Sequence, residues 1–150
     1  MHGIFGQDVY DQLCDKGVKE VYVLEGRPAL ATGRHACREL LRRNIQPVII
    51  ADNMAGFLFY KKSVKEVWLS CLSKSDHAVL CRAGGLILGV LGHTHQIPIY
   101  VYSGTDRSEV LGNTKDIAYF NGKKVAPNGI SGYVPLIEWV PAKYIRKIYG

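Results

Sequence analysis

Residues 18–51, VKEVYVLEGRPALATGRHACRELLRRNIQPVIIA, decide how this chain folds. Val18 to Glu25 (VKEVYVLE) is rich in β-branched and aromatic residues, and Gly26 and Pro28 end it, so the stretch reads as a strand followed by a turn. From Thr32 to Arg43 the apolar pairs Ala36/Leu40 and Cys37/Leu41 recur beside Arg34, Arg38, Glu39, Arg42 and Arg43. That is the pattern of an amphipathic helix, which Asn44 closes. Gln46 to Ala51 (QPVIIA) is a short continuous apolar run, as a strand covered on both faces requires. Strand, helix and strand in that order form one right-handed crossover unit with parallel strands.

The same alternation extends outward. Asp52-Asn53 offer N-cap chemistry to a helix reaching Phe59. A strand follows at Glu66 to Cys71, then a loop around Ser73 to His77, a small-residue helix from about Gly84 to Thr94, and a strand at Ile97 to Ser103. Ile117 to Val125 reads as a strand broken by the hairpin-type turn Asn121-Gly122, and Pro141 to Tyr149 as a closing helix with proline at its first position. The expected class is α/β, a parallel sheet with helices on both faces.

A chain of 150 residues is of single-domain size, and 47% hydrophobic with 21% charged residues is ordinary for a globular protein. The longest apolar stretch, Ala83 to Gly92, is roughly half the ~20 residues of a membrane-spanning helix, and no charged leader precedes an apolar run, so a cytoplasmic protein without membrane contact is expected. Nineteen Lys and Arg against thirteen Asp and Glu give a net charge of +6, which suits an anionic partner. The cations form only short clusters without interleaved aromatic motifs, which favours a phosphorylated metabolite over nucleic acid. Cys14, Cys37, Cys71 and Cys81 form no CxxC pair and the histidines no ligand spacing, so neither a metal nor a cofactor is implied, and the thiols read as reduced.

Open α/β sheets bind ligands at the carboxyl ends of their strands. That directs attention to Glu25, Arg27 and Arg34 after the first strand, to Asp52 and Asn53 after the second, to Ser73 through Arg82 after the third, and to Thr105, Asp106 and Arg107 after the fourth. Each has a plain structural alternative. Glu25 and Arg27 can pair to fix the turn, Asp52 can cap a helix, Asp76 can cap a loop, and Cys81 can be a small packing residue. Gly85, Gly89 and Gly92 read as positions that let a helix approach the sheet closely.

Four stretches make the chain recognisable. Glu25-Gly26-Arg27-Pro28, with Arg34 beyond it, resembles the E-x-R-P motif of a family that joins methylthioribose-1-phosphate isomerases, ribose-1,5-bisphosphate isomerases and the alpha, beta and delta subunits of translation initiation factor 2B. Asp52-Asn53-Met54-Ala55-Gly56 resembles the D-N-M-A-G segment of the isomerase branch. Asn121 to Gly129 (NGKKVAPNG) is similar to the family's N-G-x-x-V/I-A-P-x-G segment, and Val140-Pro141-Ala142 stands in the place of its T-P-A helix start.

The resemblance covers the family's C-terminal half. It implies one Rossmann-like three-layer domain over residues 1–150, with a mostly parallel sheet and a C-terminal hairpin and helix extension, and without the N-terminal helical domain that carries the isomerases' acid/base cysteine. Asp76 falls where the isomerases place a catalytic aspartate, and Cys81-Arg82-Ala83-Gly84-Gly85 where they place N-K-I-G-T. Ala31 replaces a substrate-binding glutamine. These matches assign Asp76 to acid/base chemistry and Arg82, Gly84, Gly85, Arg27, Arg34, Asp52 and Asn53 to binding a phosphorylated sugar or nucleotide; Cys81, in the place of the asparagine, is an acid/base candidate on condition of a depressed thiol pKa. With half of the acid/base pair absent, the isolated chain reads as an initiation-factor-2B-like binding domain rather than an enzyme. A sugar-phosphate aldose–ketose isomerase and a ligand-free interaction module are the alternatives. The resemblance further implies a homodimer, and a separately encoded helical partner is a possible complement.

Overall fold

The crossover unit forms where the residue pattern puts it. In the computed structural model, which describes residues 1–105 and 107–150, β1 (Glu20–Leu24) and β2 (Gln46–Ile50) pair in parallel, with Glu20 opposite Gln46 and Leu24 opposite Ile50. Asp106 lies outside the described residues. Helix α2 (Ala31–Leu41) joins the two strands and buries Ala36 and Leu40, the residues its period selects. Preceding it is α1 (Gln7–Asp15), which buries Val9, Tyr10 and Leu13 and was not read from the sequence.

A 3₁₀ turn at Asp52–Met54 leads into α3 (Ala55–Tyr60), and β3 (Val67–Lys74), β4 (Ala78–Arg82), α4 (Gly85–His95) and β5 (Ile99–Ser103) follow. After a long connection come the hairpin β6 (Tyr119–Phe120) and β7 (Lys123–Lys124) around Asn121-Gly122, then β8 (Ile137–Pro141) and β9 (Lys147–Tyr149). The main sheet has five strands in the order β8-β4-β3-β5-β9. Met1 and His2 lie between β1 and β3 and connect the two-stranded sheet to it: the Leu24 N–H donates to the Met1 carbonyl at 3.3 Å and the His2 N–H to the Trp68 carbonyl at 3.0 Å.

Three expectations change. The sheet is mixed: β3–β5, β5–β9 and β1–β2 pair in parallel, but β4 pairs antiparallel with both β3 and β8. The loop around Ser73 to His77 is a hairpin turn, since β3 continues to Lys74 and doubles back. The closing helix from Pro141 to Tyr149 is instead the end of β8, a 3₁₀ turn at Ala142–Tyr144 and β9. Two strand edges, those of β4 and β5, bind these segments, and Trp139 out with Val140 in is a two-residue period that overrides the helix-start signal of the proline. No helix among the described residues is long and apolar enough to cross a membrane.

The core divides by the same period. Val67, Leu69 and Cys71 of β3 and Ile99 and Val101 of β5 face α3 and α4, whereas Trp68 and Tyr102 face α1 and α2. Helix α4 can lie close to the sheet because its buried stripe is Gly85, Leu88, Gly89 and Gly92. A Cβ at Gly92 would stand 2.5 Å from Ile99 Cδ1 and 2.8 Å from the Ile97 carbonyl oxygen. On the other face, Glu39, 3% exposed, accepts hydrogen bonds from Arg42 (2.6 Å) and Arg43 (3.0 Å), and Arg43 also bonds Asp11 of α1 at 2.7 Å. Burial works to raise the Glu39 carboxyl, but the hydrogen bonds from Arg43 and Gln7 and the charge of Arg42 outweigh it and hold it below its ordinary range.

Two predictions follow from this packing. Gly92→Ala is expected to destabilise by about 1–3 kcal/mol although alanine favours a helix, because a backbone carbonyl blocks the new methyl. Gly56→Ala in α3, where a Cβ meets nothing within 4 Å, is the control that should not destabilise. Equal melting temperatures for the two variants would refute the close-packing reading. For Glu39, a carboxyl depressed in the folded state contributes stability above its unfolded pKa of ~4.3 and loses it as pH falls through the folded value. Melting curves between neutral and acidic pH should therefore show a decline that Glu39→Gln makes shallower, and an unchanged slope would contradict it.

Candidate functional site

The loop after β1 is held by a carboxylate from the end of β2. Asp52 Oδ1 accepts from the Gly26 N–H at 2.9 Å and Oδ2 from the Arg27 N–H at 2.7 Å. Asp52 makes no side-chain cap bond to its own 3₁₀ turn, so its role is to fix the neighbouring loop rather than to begin a helix. Gly26 permits this with φ +75°, and a Cβ there would collide with Thr32 Oγ1. The Arg27–Pro28 peptide is cis. The Arg27 guanidinium donates to the carbonyls of Tyr119 (3.0 Å) and Ile117 (3.4 Å) and lies over the Phe120 ring, so it ties this loop to the C-terminal hairpin instead of pairing with Glu25.

Arg27, Pro28 and Thr32 form one wall of a small cavity of about 40 Å³, Arg82 and Ala83 at the end of β4 form another, and His2 lies against both. His2 is 4% exposed, with Nε2 at 2.9 Å from the Ala83 carbonyl, so the N–H sits on Nε2 and Nδ1 is a bare acceptor. Burial pushes this imidazole below its ordinary value, against the opposing pull of the Ala83 bond and of the Asp52 and Glu138 charges. His2 Nδ1 and Thr32 Oγ1 are buried polar atoms without a hydrogen-bond partner among the described residues. Two such atoms lining one cavity, between two arginines, mark a place prepared for a polar group.

The start of α4 already holds an anion of the chain's own. Glu138 Oε1 accepts from the Gly84 N–H at 2.7 Å and the Leu86 N–H at 2.9 Å, so the carboxylate stands at the helix dipole's positive end. Gly85 packs instead on Cys81 and Val140.

Of the residues proposed from the sequence, Arg27 and Arg82 line this cavity, and Asp52 holds the loop that forms one of its walls. Arg34 is exposed on α2 and Asn53 is exposed beside Asp52. Asp76 sits exposed in the β3–β4 turn and does not line this cavity. Cys81 is 1% exposed in the core, and burial, reinforced by Cys71 and Glu138, pushes its thiol up to about 12, the opposite of what an acid/base thiol needs. Cys81 is therefore a packing residue. His2, Thr32 and Glu138 were not foreseen. Glu138 was hidden because it needs β8, where it stands opposite Cys81. All four cysteines are free thiols, and no group of three or more His, Cys, Asp or Glu among the described residues is placed to hold a metal ion.

Comparison with known proteins agrees with this architecture. The methylthioribose-1-phosphate isomerase of Desulfitobacterium hafniense (strain DSM 10664 / DCB-2) is 34% identical over 142 residues, 85% of this chain and 41% of that protein. The enzyme of the same name from Desulforudis audaxviator (strain MP104C) is 30% identical over 141 residues, 86% of this chain and 40% of that protein. The chain thus spans about 40% of the length of these relatives. Among solved structures, the translation initiation factor eIF-2B subunit delta from A. fulgidus superposes with a TM-score of 0.82 at 22% identity, covering 94% of this chain and 45% of that one. The 5-methylthioribose 1-phosphate isomerase from Pyrococcus horikoshii OT3 gives 0.81 at 22% identity over 93% of this chain and 43% of that one. Residues 9–149 match the initiation factor 2 subunit family, and the chain belongs to that family.

Proposed function

We propose that this chain is a single Rossmann-like domain that binds a phosphorylated sugar at the His2–Arg27–Arg82 cavity, as the sugar-phosphate-binding part of an aldose–ketose isomerase. The observation that carries the reading is the pair of buried, unpartnered atoms His2 Nδ1 and Thr32 Oγ1 between two arginines. A neutral imidazole with a bare nitrogen accepts a sugar hydroxyl, the threonine hydroxyl gives or accepts one more bond, and the Arg82 guanidinium matches a phosphate's charge and geometry. A cavity of about 40 Å³ admits a hydroxyl and not a whole sugar, so the phosphate lies outside it, toward Arg82. The isomerase names of the relatives at 30% and 34% identity support the substrate class.

Isomerisation also needs an acid and a base to carry a proton between adjacent carbons and oxygens. No Asp, Glu or Cys is among the described residues that line the cavity, with Asp76 exposed and Cys81 in the core. On this reading the pair comes from a separate helical partner. This feature favours a second reading, an initiation-factor-2B-like domain that senses the ligand through assembly, and the eIF-2B delta superposition supports it. We further propose a homodimer in which a second copy covers the exposed apolar face of α3 and α4 formed by Met54, Phe57, Tyr60, Ile87 and Val90. The solved tetrameric eIF2B-beta2-delta2 complex from C. thermophilum, which superposes with a TM-score of 0.66, is an assembly that contains this fold.

Calorimetric titration with methylthioribose-1-phosphate, ribose 5-phosphate and inorganic phosphate tests the site. Arg82→Ala is expected to weaken phosphorylated ligands by roughly ten- to a hundredfold, Arg82→Lys by less, and Thr32→Val by a few-fold. Unchanged affinity in Arg82→Ala removes the site. The isolated chain is expected to bind without turnover, and aldose-to-ketose conversion that vanishes in Asp76→Asn would restore Asp76 to the chemistry. For assembly, light scattering should report a dimer mass that Phe57→Glu converts to a monomer, and a wild-type monomer up to near-millimolar concentration would exclude the dimer.

A further inference from the structure

Cys71 and Cys81 stand directly opposite each other where β3 pairs antiparallel with β4. Both are free thiols, 3% and 1% exposed, and both belong to the apolar cluster on the α3 and α4 face of the sheet. The other two thiols, Cys14 and Cys37, belong to α1 and α2 on the opposite face. The backbones of Cys71 and Cys81 do not bond to each other. The Gly104 N–H donates to the Cys71 carbonyl at 2.7 Å, so Cys71 turns its main-chain groups toward β5. On β4 the Ala83 N–H donates to the Leu136 carbonyl and the Ala142 N–H to the His77 carbonyl, which turns residues 77, 79, 81 and 83 toward β8. The even-numbered residues face β3, as the bond from the Ser75 N–H to the Ala78 carbonyl shows.

Cys71 and Cys81 are therefore a non-hydrogen-bonded antiparallel pair. In such pairs the Cα atoms lie ~4.5 Å apart and the side chains approach more closely than in hydrogen-bonded pairs. A disulfide spans Cα separations of about 4.4–6.8 Å and brings the Cβ atoms to about 3.5–4.5 Å, so it needs that close approach. The register shifts just beyond, between Cys71 and Ser73, where β3 carries one extra residue, Leu72. This break in the ladder frees β3 to adjust as the sulfurs close.

We propose that Cys71 and Cys81 are a redox pair, which hydrogen peroxide closes into an intramolecular disulfide between β3 and β4 and a dithiol reopens. Burial raises both thiols, but the Lys74 charge and the Gly104 N–H oppose it at Cys71, whereas Cys71 and Glu138 reinforce it at Cys81. Cys71 is thus the sulfur that ionises and attacks. Its thiolate takes one peroxide oxygen as the O–O bond breaks, which leaves Cys71 as a sulfenic acid and releases hydroxide, and the hydroxide recovers the proton that the Cys71 thiol lost. The Cys81 sulfur then attacks the Cys71 sulfur, the S–O bond breaks, and the oxygen leaves as water with the Cys81 proton. Two thiols and one peroxide give one disulfide and two waters. The bond ties the end of β3 to the segment of β4 that leads into Arg82, and the inference does not rest on the sugar reading.

Trypsin cleaves after Lys65, Lys74 and Arg82 and so places the two cysteines in separate peptides, 66–74 and 75–82. A Cys14→Ser/Cys37→Ser variant is treated with hydrogen peroxide in the folded state, alkylated and digested. Mass spectrometry is expected to find the two peptides joined, lighter by two hydrogens than their sum and derived from a chain of monomer mass, and dithiothreitol to part them. The oxidised chain is expected to melt about 5 °C or more above the reduced one, because the crosslink restricts the unfolded chain. In Cys81→Ala the oxygen is expected to stay on Cys71 as sulfenic or sulfinic acid, and an unoxidised Cys71 there would refute its role as the attacking sulfur. The pair itself is overturned by thiols that stay open to alkylation after peroxide, by an oxidised Cys71 without the link, by a link that forms only in urea, or by a melting temperature that does not rise.

Discussion

A strand buried on both faces must find partners for every backbone N–H and C=O, and β3 meets this requirement in an unusual way. On one edge it pairs with β5 along its length from Val67 to Cys71. On the other it has two partners in succession: His2 opposite Leu69, then β4 opposite Cys71 to Lys74 across an irregularity between Cys71 and Ser73. The remaining architecture follows from that exchange. Where β4 ends and β1 ends, His2 lies between them, and the crevice that opens there holds the polar cavity. That cavity is a consequence of one edge shared by unlike neighbours, much as ligand crevices arise where neighbouring strands of an open sheet diverge.

Charge is used in two ways around this crevice. Asp52 and Glu138 spend their oxygens on backbone amides, the first on Gly26 and Arg27, the second on Gly84 and Leu86. Charge-assisted bonds of this kind fix loops more firmly than neutral ones. These two carboxylates thus serve as scaffold, as does the Arg27 guanidinium on the Tyr119 and Ile117 carbonyls, while Arg82 lines the cavity itself. A net charge of +6 has the same sign, so the field around the crevice and the field of the whole chain draw the same class of ligand.

The fold was legible wherever a segment carried its own period. Residues 18–51 announced β1, α2 and β2 to within a residue or two, because each has a distinct apolar spacing and an explicit stop. Legibility failed where long-range pairing decides. Ile137–Pro141 and Lys147–Tyr149 become strands because β4 and β5 present edges to them, and no local signal competes with the helix-start reading of Pro141 until those edges exist. Helix α1 was missed although Val9 and Leu13 have helical spacing, since Gly6 before it and its aspartates Asp8, Asp11 and Asp15 look like loop chemistry. The site divides in the same way. Arg27, Asp52 and Arg82 occupy strand ends that topology exposes, whereas His2 and Thr32 matter only because distant loops bury them, and burial depends on the three-dimensional arrangement.

The family motifs themselves prove to be mostly scaffold. Glu25 to Pro28 is the loop that Asp52 holds; Asp52 belongs to the D-N-M-A-G stretch; and Asn121-Gly122 turns the hairpin whose Phe120 ring and Tyr119 carbonyl receive Arg27. Three of the recognisable motifs thus meet at one junction and brace one another. Their resemblance to isomerases and initiation factors alike follows, because a junction of this kind specifies where a ligand's crevice lies and leaves its chemistry open. What distinguishes a catalyst from a sensor is the pair of proton-transferring groups set over the crevice. Here Asp76 is an exposed turn aspartate, and Cys81, which stands where the resemblance places an asparagine, is a thiol locked in the core. The motifs therefore carry the argument for the family and for the junction that they brace, and an argument about chemistry has to come from other residues.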